Sequence, residues 1–154
     1  MTRKSETTLL LVATTLAGLL AGFFYTWSFT IMQSLDLIDG SAASSAMQSI
    51  NTNIRSGWFA ATFFGTPVLI MASLIYTLLN NKRRVLWAGL ALLFAIGTLA
   101  ITFTQHIPLN NALADGLAWA EYSPQWVTWN HARMITSLLA FLSMIACLLT
   151  RPAE

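Results

Sequence analysis

Side chains able to do chemistry crowd into one stretch of the chain, from Gln105 to Arg133. His106 and His131 are the two histidines, and imidazole is the side chain whose ordinary pKa suits proton transfer near neutral pH. Arg133 carries a permanent charge on a planar fork of donors, which suits it to anchor a phenolate or a developing oxyanion. Asn110 and Asn130 can donate hydrogen bonds beside it. Trp126 and Trp129 offer flat walls for a planar aromatic or quinone-like molecule. On a helix, Trp126, Trp129, Asn130 and Arg133 stand at i, i+3, i+4 and i+7 and share one face, whereas His131 sits about 100° round from Asn130. Its ordinary pKa makes His131 a candidate base beside an anion site of Arg133, Asn130 and Asn110. Trp126, Trp129 and His106 are then expected to hold the substrate.

Blander readings compete with each of these. Arg133 could snorkel to the interface and pair with Glu121 or Asp115. His106 and His131 could hold copper, zinc or a haem iron, with Met32, Met47 or Met134 completing a soft site. Two histidines make an incomplete ligand set, so no metal or other cofactor is expected. Cys147 is the single cysteine, which excludes a disulfide framework and a CxxC pair. Asp36, Asp39 and Asp115 read as solvated loop residues or helix caps.

The elements that must position these groups are dictated by composition. Of 154 residues, 56% are hydrophobic and 9% charged, which excludes an ordinary soluble domain. The net charge of +2 reflects a small imbalance among few charges, so nucleic acid is not an expected partner. A helix crossing the hydrocarbon core needs about 20 apolar residues, and four stretches qualify. They are placed at about 9–31, 58–80, 85–104 and 128–150, giving a single all-α membrane domain, a four-transmembrane-helix bundle. The first is read as an anchor and not a cleaved signal peptide, because it exceeds the usual apolar core of about 7–15 residues. Arg3, Lys4, Lys82, Arg83, Arg84 and Arg151 flank one side of these spans. By the positive-inside rule that side is cytoplasmic, with both termini there, in a multi-pass protein of the cell inner (plasma) membrane.

Small residues at every fourth position, including the GxxxG pair Gly18 and Gly22, let helices approach closely in lipid. They are read as packing within the bundle, with a homo-oligomer or a membrane complex as the competing use. Pro67 is expected to bend span two. The first outer connection carries an amphipathic helix over Ala42–Ile54, started by Asp39 with Gly40 or Ser41. Its Asn51, with Arg55, is assigned to substrate binding. The second outer connection is expected to be a structured loop, with a helix starting at Pro124.

Three motifs carry a resemblance: AMQSIN (Ala46 to Asn51), the PLN element Pro108, Leu109 and Asn110, and the W-x-x-W-N-H-x-R element running from Trp126 to Arg133. In order and over nearly the whole chain, the sequence resembles the anthrone-oxygenase-like family of small four-helix membrane proteins, named for fungal members implicated in oxidising anthrones to anthraquinones. The resemblance implies cofactor-independent oxidation of a polycyclic phenol, anthrone or quinol drawn from the bilayer, at a pocket near the outer face, with His131 as the base. Two other readings remain at this stage. One is a non-enzymatic membrane subunit or an accessory protein that binds quinone or lipid, and the other is a haem- or copper-binding protein using His106 and His131.

Overall fold

The computed structural model describes residues 3–54 and 57–150. Among them every regular element is helical. Span one joins α1 (Arg3–Thr26), a π-helical turn (Trp27–Ile31) and the short α2 (Met32–Leu35). After a bend comes α3 (Gly40–Asn53), then α4 (Trp58–Asn80) as span two. Span three runs through a 3-10 turn (Lys82–Arg84), α5 (Val85–Ile101), a second π-helical turn (Thr102–His106) and α6 (Ile107–Ala114), and span four is the single helix α7 (Trp119–Leu149). Four helices are thus long and apolar enough to cross a membrane. Helices suit that solvent because each satisfies its own backbone donors and acceptors where water cannot.

The bundle closes as a ring. Helix α7 packs against α1 and α5, and α4 packs against their other sides, so α4 and α7 sit diagonally. Small residues make the close approaches: Ala13, Ala17, Ala91 and Ala95 are buried, and Gly18 lies so near Phe141 that an added Cβ would come within 2.9 Å of the ring. Gly22 has nothing within 4 Å of an added Cβ, so only one glycine of the GxxxG pair is used inside the bundle. Thr98 and Thr136 share a hydrogen bond of 2.8 Å between α5 and α7.

The end bearing Lys82–Arg84 is locked by charge. Arg84, one of the cations of the short link, is buried and pairs with Glu6 at 2.7 Å. Its guanidinium also donates to the carbonyl oxygens of Thr150 and Leu148, tying spans one, three and four together.

The opposite end is capped by α3. Asp39 accepts hydrogen bonds from the backbone N–H groups of Ser41 and Ala42 and from the Ser41 hydroxyl, the N-cap arrangement expected from the sequence. These bonds, the Ser41 hydroxyl foremost, hold the Asp39 carboxyl below its ordinary pKa. Gln48 donates to the Leu113 carbonyl and fastens α3 to α6. Asp36 is a staple more than a solvated residue, accepting from Trp119 Nε1 at 2.8 Å and Ser123 Oγ at 2.7 Å.

The second connection departs most from expectation. The chain stays helical as far as Ala114 and resumes helix at Trp119, five residues before Pro124, leaving only residues 115–118 between. Gly116 takes φ +103°, a left-handed conformation that makes this tight reversal feasible. The polar cluster therefore rides on two helices that extend their spans, which fixes its side chains more firmly than a loop could.

Candidate functional site

A cavity of about 460 Å³ opens beneath α3, between the capped ends of the four spans. Apolar and aromatic side chains form most of its wall: Phe24 and Trp27 from span one, Met47 and Ile50 from α3, Phe59 and Phe63 from α4, Phe103 from span three and Trp126 from α7. Phe64 and Phe103 line it while lying 51% and 52% exposed on the flanks of spans two and three, with ring centroids 6.5 Å apart. The cavity thus opens onto the outer flank of spans two and three.

Trp126 is the hub. Its ring lies 5.2 Å from Trp27, 5.0 Å edge-on from His106, and 5.2 Å from the Arg133 guanidinium. Both Trp27 and His106 belong to π-helical turns, each of which inserts a residue into its span and turns the following side chains. Arg133 lies only 7% exposed, over the Phe24 ring at 4.6 Å and donating to Asn130 Oδ1 at 2.7 Å. Among the described residues it has no carboxylate partner; neither Glu121 nor Asp115 pairs with it. An arginine so placed in a span is costly without a counter-charge, and a ligand in the cavity could supply one.

His106 is buried with neither ring nitrogen in a regular hydrogen bond, although the backbones of Ile101 and Trp126 lie close by. Asn110 and Asn51 both line the cavity. Tyr122, fully buried, donates to Asn110 Oδ1 at 2.7 Å, and Asn110 Nδ2 donates to Asn51 Oδ1 at 3.1 Å.

The structure therefore gathers Arg133, His106, Asn110, Asn51 and Trp126 around one hollow and leaves three expected members outside its lining. Asn130 is fully buried behind Arg133, donating to the Phe24 carbonyl and to Ser28 Oγ, so it braces the guanidinium. Trp129 is 38% exposed and points away. His131 lies beside Phe29, with ring centroids 5.4 Å apart and the planes tilted by 32°, because a 100° step round the helix carries it off the lining face. His131 is not among the residues that line this cavity, so the expected teaming of His131 with Arg133 on one bound molecule is not what the geometry provides. Arg55 lies outside the described residues. Tyr122 belongs to the same polar stretch but is given no site role by the sequence, although it stands four residues before Trp126 on the same face, a signal the helical spacing carries. Trp27 and His106 meet through π-helical turns, which periodicity at 3.6 residues does not reveal.

Residues 56–143 match the sequence model of the family described as Anthrone oxygenase. The chain belongs to the anthrone oxygenase family. No curated protein and no solved structure matches it. Of the cavity, the anthrone oxygenase match covers the contributions of α4, span three and α7, including His106, Asn110, Trp126 and Arg133. Phe24, Trp27 and the α3 residues, Asn51 among them, precede it.

Proposed function

We propose that the cavity binds a planar polycyclic phenol, anthrone or quinol that dissolves in the bilayer, and oxidises it with dioxygen alone. One observation carries this reading. Among the described residues, six of the nine buried side-chain nitrogen and oxygen atoms without a hydrogen-bond partner belong to residues lining this cavity: Trp27 Nε1, Asn51 Nδ2, both ring nitrogens of His106, Trp126 Nε1 and Arg133 Nε. Trp27 Nε1, Trp126 Nε1 and Arg133 Nε are donors, and buried donors left unpaired cost about 1–3 kcal/mol each, so their concentration at one hollow supports a ligand that carries acceptor oxygens.

In the proposed reaction, His106 removes a proton from the acidic methylene carbon of an anthrone-type ring. The resulting negative charge spreads onto the ring oxygen, where Arg133 stabilises it, braced by Asn130. The anion forms a C–O bond with dioxygen, and the proton held by His106 completes the hydroperoxide. Loss of water then breaks the O–O bond and the remaining C–H bond, leaving a carbonyl, so that CH₂ plus O₂ becomes C=O plus H₂O. Phe64 and Phe103 frame a route from the lipid for so apolar a substrate. The basic link of Lys82 and Arg83 supports placing the capped end, and the cavity, on the outer side of the plasma membrane with both termini inside.

Anthrone supplied to the detergent-purified protein should give oxygen uptake matched by anthraquinone absorbance, and His106→Ala should lower the rate constant by about 10²–10⁴-fold. Unchanged turnover in His106→Ala would remove the base from the mechanism. Saturable binding without oxygen uptake would favour the second reading, a quinone- or lipid-binding subunit, which the same aromatic walls also suit.

A further inference from the structure

A guanidinium keeps its charge throughout the working pH range, so a buried one calls for a counter-charge in the resting molecule as well as during a reaction. Arg133 has none among the described residues. Each carboxylate there is engaged elsewhere or lies outside: Glu6 pairs with Arg84, Asp36 accepts from Trp119 and Ser123, Asp39 caps α3, and Asp115 and Glu121 are exposed.

What surrounds Arg133 is neutral. The Phe24 and Trp126 rings, 4.6 Å and 5.2 Å from its guanidinium carbon, attract the cation without cancelling its charge. Asn130 Oδ1 accepts one N–H at 2.7 Å, and Nε is a buried donor without a partner. Among the described residues that line the cavity from span one, α3, α4, span three and α7, His106 is the one other titratable group. Tyr122 interacts with Arg133 electrostatically, but it stands about three turns nearer the outer end of α7 and is hydrogen-bonded with Asn110. The rest of the wall suits a flat ring body, with Phe59, Phe63 and Phe103 facing the same hollow.

Resting on the reading of the cavity as a site for an oxygenated aromatic, we propose that the cavity takes its ring ligand as a phenolate from the start: an ionised ring hydroxyl supplies the counter-charge that no described side chain gives Arg133. The hydroxyl proton leaves to bulk water, and the electron pair of the O–H bond stays on the oxygen beside the guanidinium. The substrate class is then acidic phenols, in preference to neutral ketones and ethers of the same size. An anthrone enters this class through its enol, a phenol whose anion is the species proposed to meet dioxygen.

Optical titration of the detergent-solubilised full chain compares 2-hydroxyanthraquinone, whose phenol and phenolate differ in visible colour and which is already a quinone, with its 2-methoxy ether. Bound to the wild type, the phenolate band should appear about one to two pH units below its midpoint in protein-free micelles of the same detergent, the worth of a charge-assisted hydrogen bond. Affinity for the hydroxyl compound should climb with pH through the bound midpoint and level off once the free phenol is itself ionised, while affinity for the ether stays flat. Arg133→Met replaces a buried charge by an apolar chain of similar length, a change that folds commonly tolerate, and should remove the shift while the ether still binds within about twofold. Arg133→Lys keeps the charge and should retain part of the shift. A wild type that binds the hydroxyl compound without this shift, or a shift that survives in Arg133→Met, overturns this inference and leaves the proposed function, read from oxygen uptake with anthrone, standing. Binding of neither ring by the wild type overturns both.

Discussion

At the scale of single residues, the same side-chain type does different work according to which face of α7 it occupies. Asn130 and His131 are neighbours in sequence, yet one braces the Arg133 guanidinium and the other lies against Phe29 outside the cavity lining. Asn130→Leu should therefore strand the Phe24 carbonyl and the guanidinium together, lowering stability by about 1–3 kcal/mol in a denaturant titration and weakening ligand binding as well. His131→Ala should leave anthrone turnover within about twofold of the wild type, since general-base contributions reach 10²-fold or more only for a group in reach of the proton. A large loss of turnover in His131→Ala with unchanged melting would return the base role to His131. The stripe Trp126, Asn130 and Arg133 was legible from spacing alone; whether each member faced the hollow or stood behind it was not, because that depends on what neighbouring helices present.

At the scale of elements, two devices shape the site. The π-helical turns in spans one and three bring Trp27 and His106 against Trp126, and the α3 cap closes the cavity from above. The helix start at Asp39 was readable because an aspartate ahead of a run of good helix positions accepts the first free N–H groups. The π-helical turns were not readable, since an inserted residue shifts the pattern by one position without an obvious sequence mark. Bonding of Asp39 to Ser41 and Ala42 holds its carboxyl below the usual value, so the cap contributes in full above the ordinary aspartate range and is lost as the pH falls through the lowered one. Hydrogen exchange of residues 40–53 should quicken on that acid side, and Asp39→Asn, which still caps, should flatten the dependence. Exchange in the wild type that ignores acid would show that α3 is held by its contacts with α6 and α7 instead of by its cap.

At the scale of the whole molecule, the bundle is pinned at opposite ends by different means. One end is held by the buried pair of Arg84 and Glu6, with the guanidinium also on two carbonyls at the close of α7. The other is held by the Asp36 staple and the Gln48 bond beneath α3, leaving a hollow between them. Removing one partner of a buried pair leaves an uncompensated charge, so Arg84→Met should cost about 3–5 kcal/mol of stability, read from thermal unfolding in detergent. Because that pair is far from the cavity, anthrone affinity of the folded fraction should hold. A variant that melts like the wild type would mean the other contacts between spans suffice.

Composition and hydrophobic run length were enough to determine four apolar helices and an amphipathic cap, since the cost of burying polar backbone and charge in lipid is set locally, residue by residue. The residues of the candidate site were largely visible for the same reason: polar groups in so apolar a chain stand out. Their grouping was decided only by the tertiary structure. Which nitrogen stays unpaired, which histidine faces the hollow and which arginine finds a carboxylate all follow from the packing of distant segments, and no periodicity within one helix encodes what stands across from it.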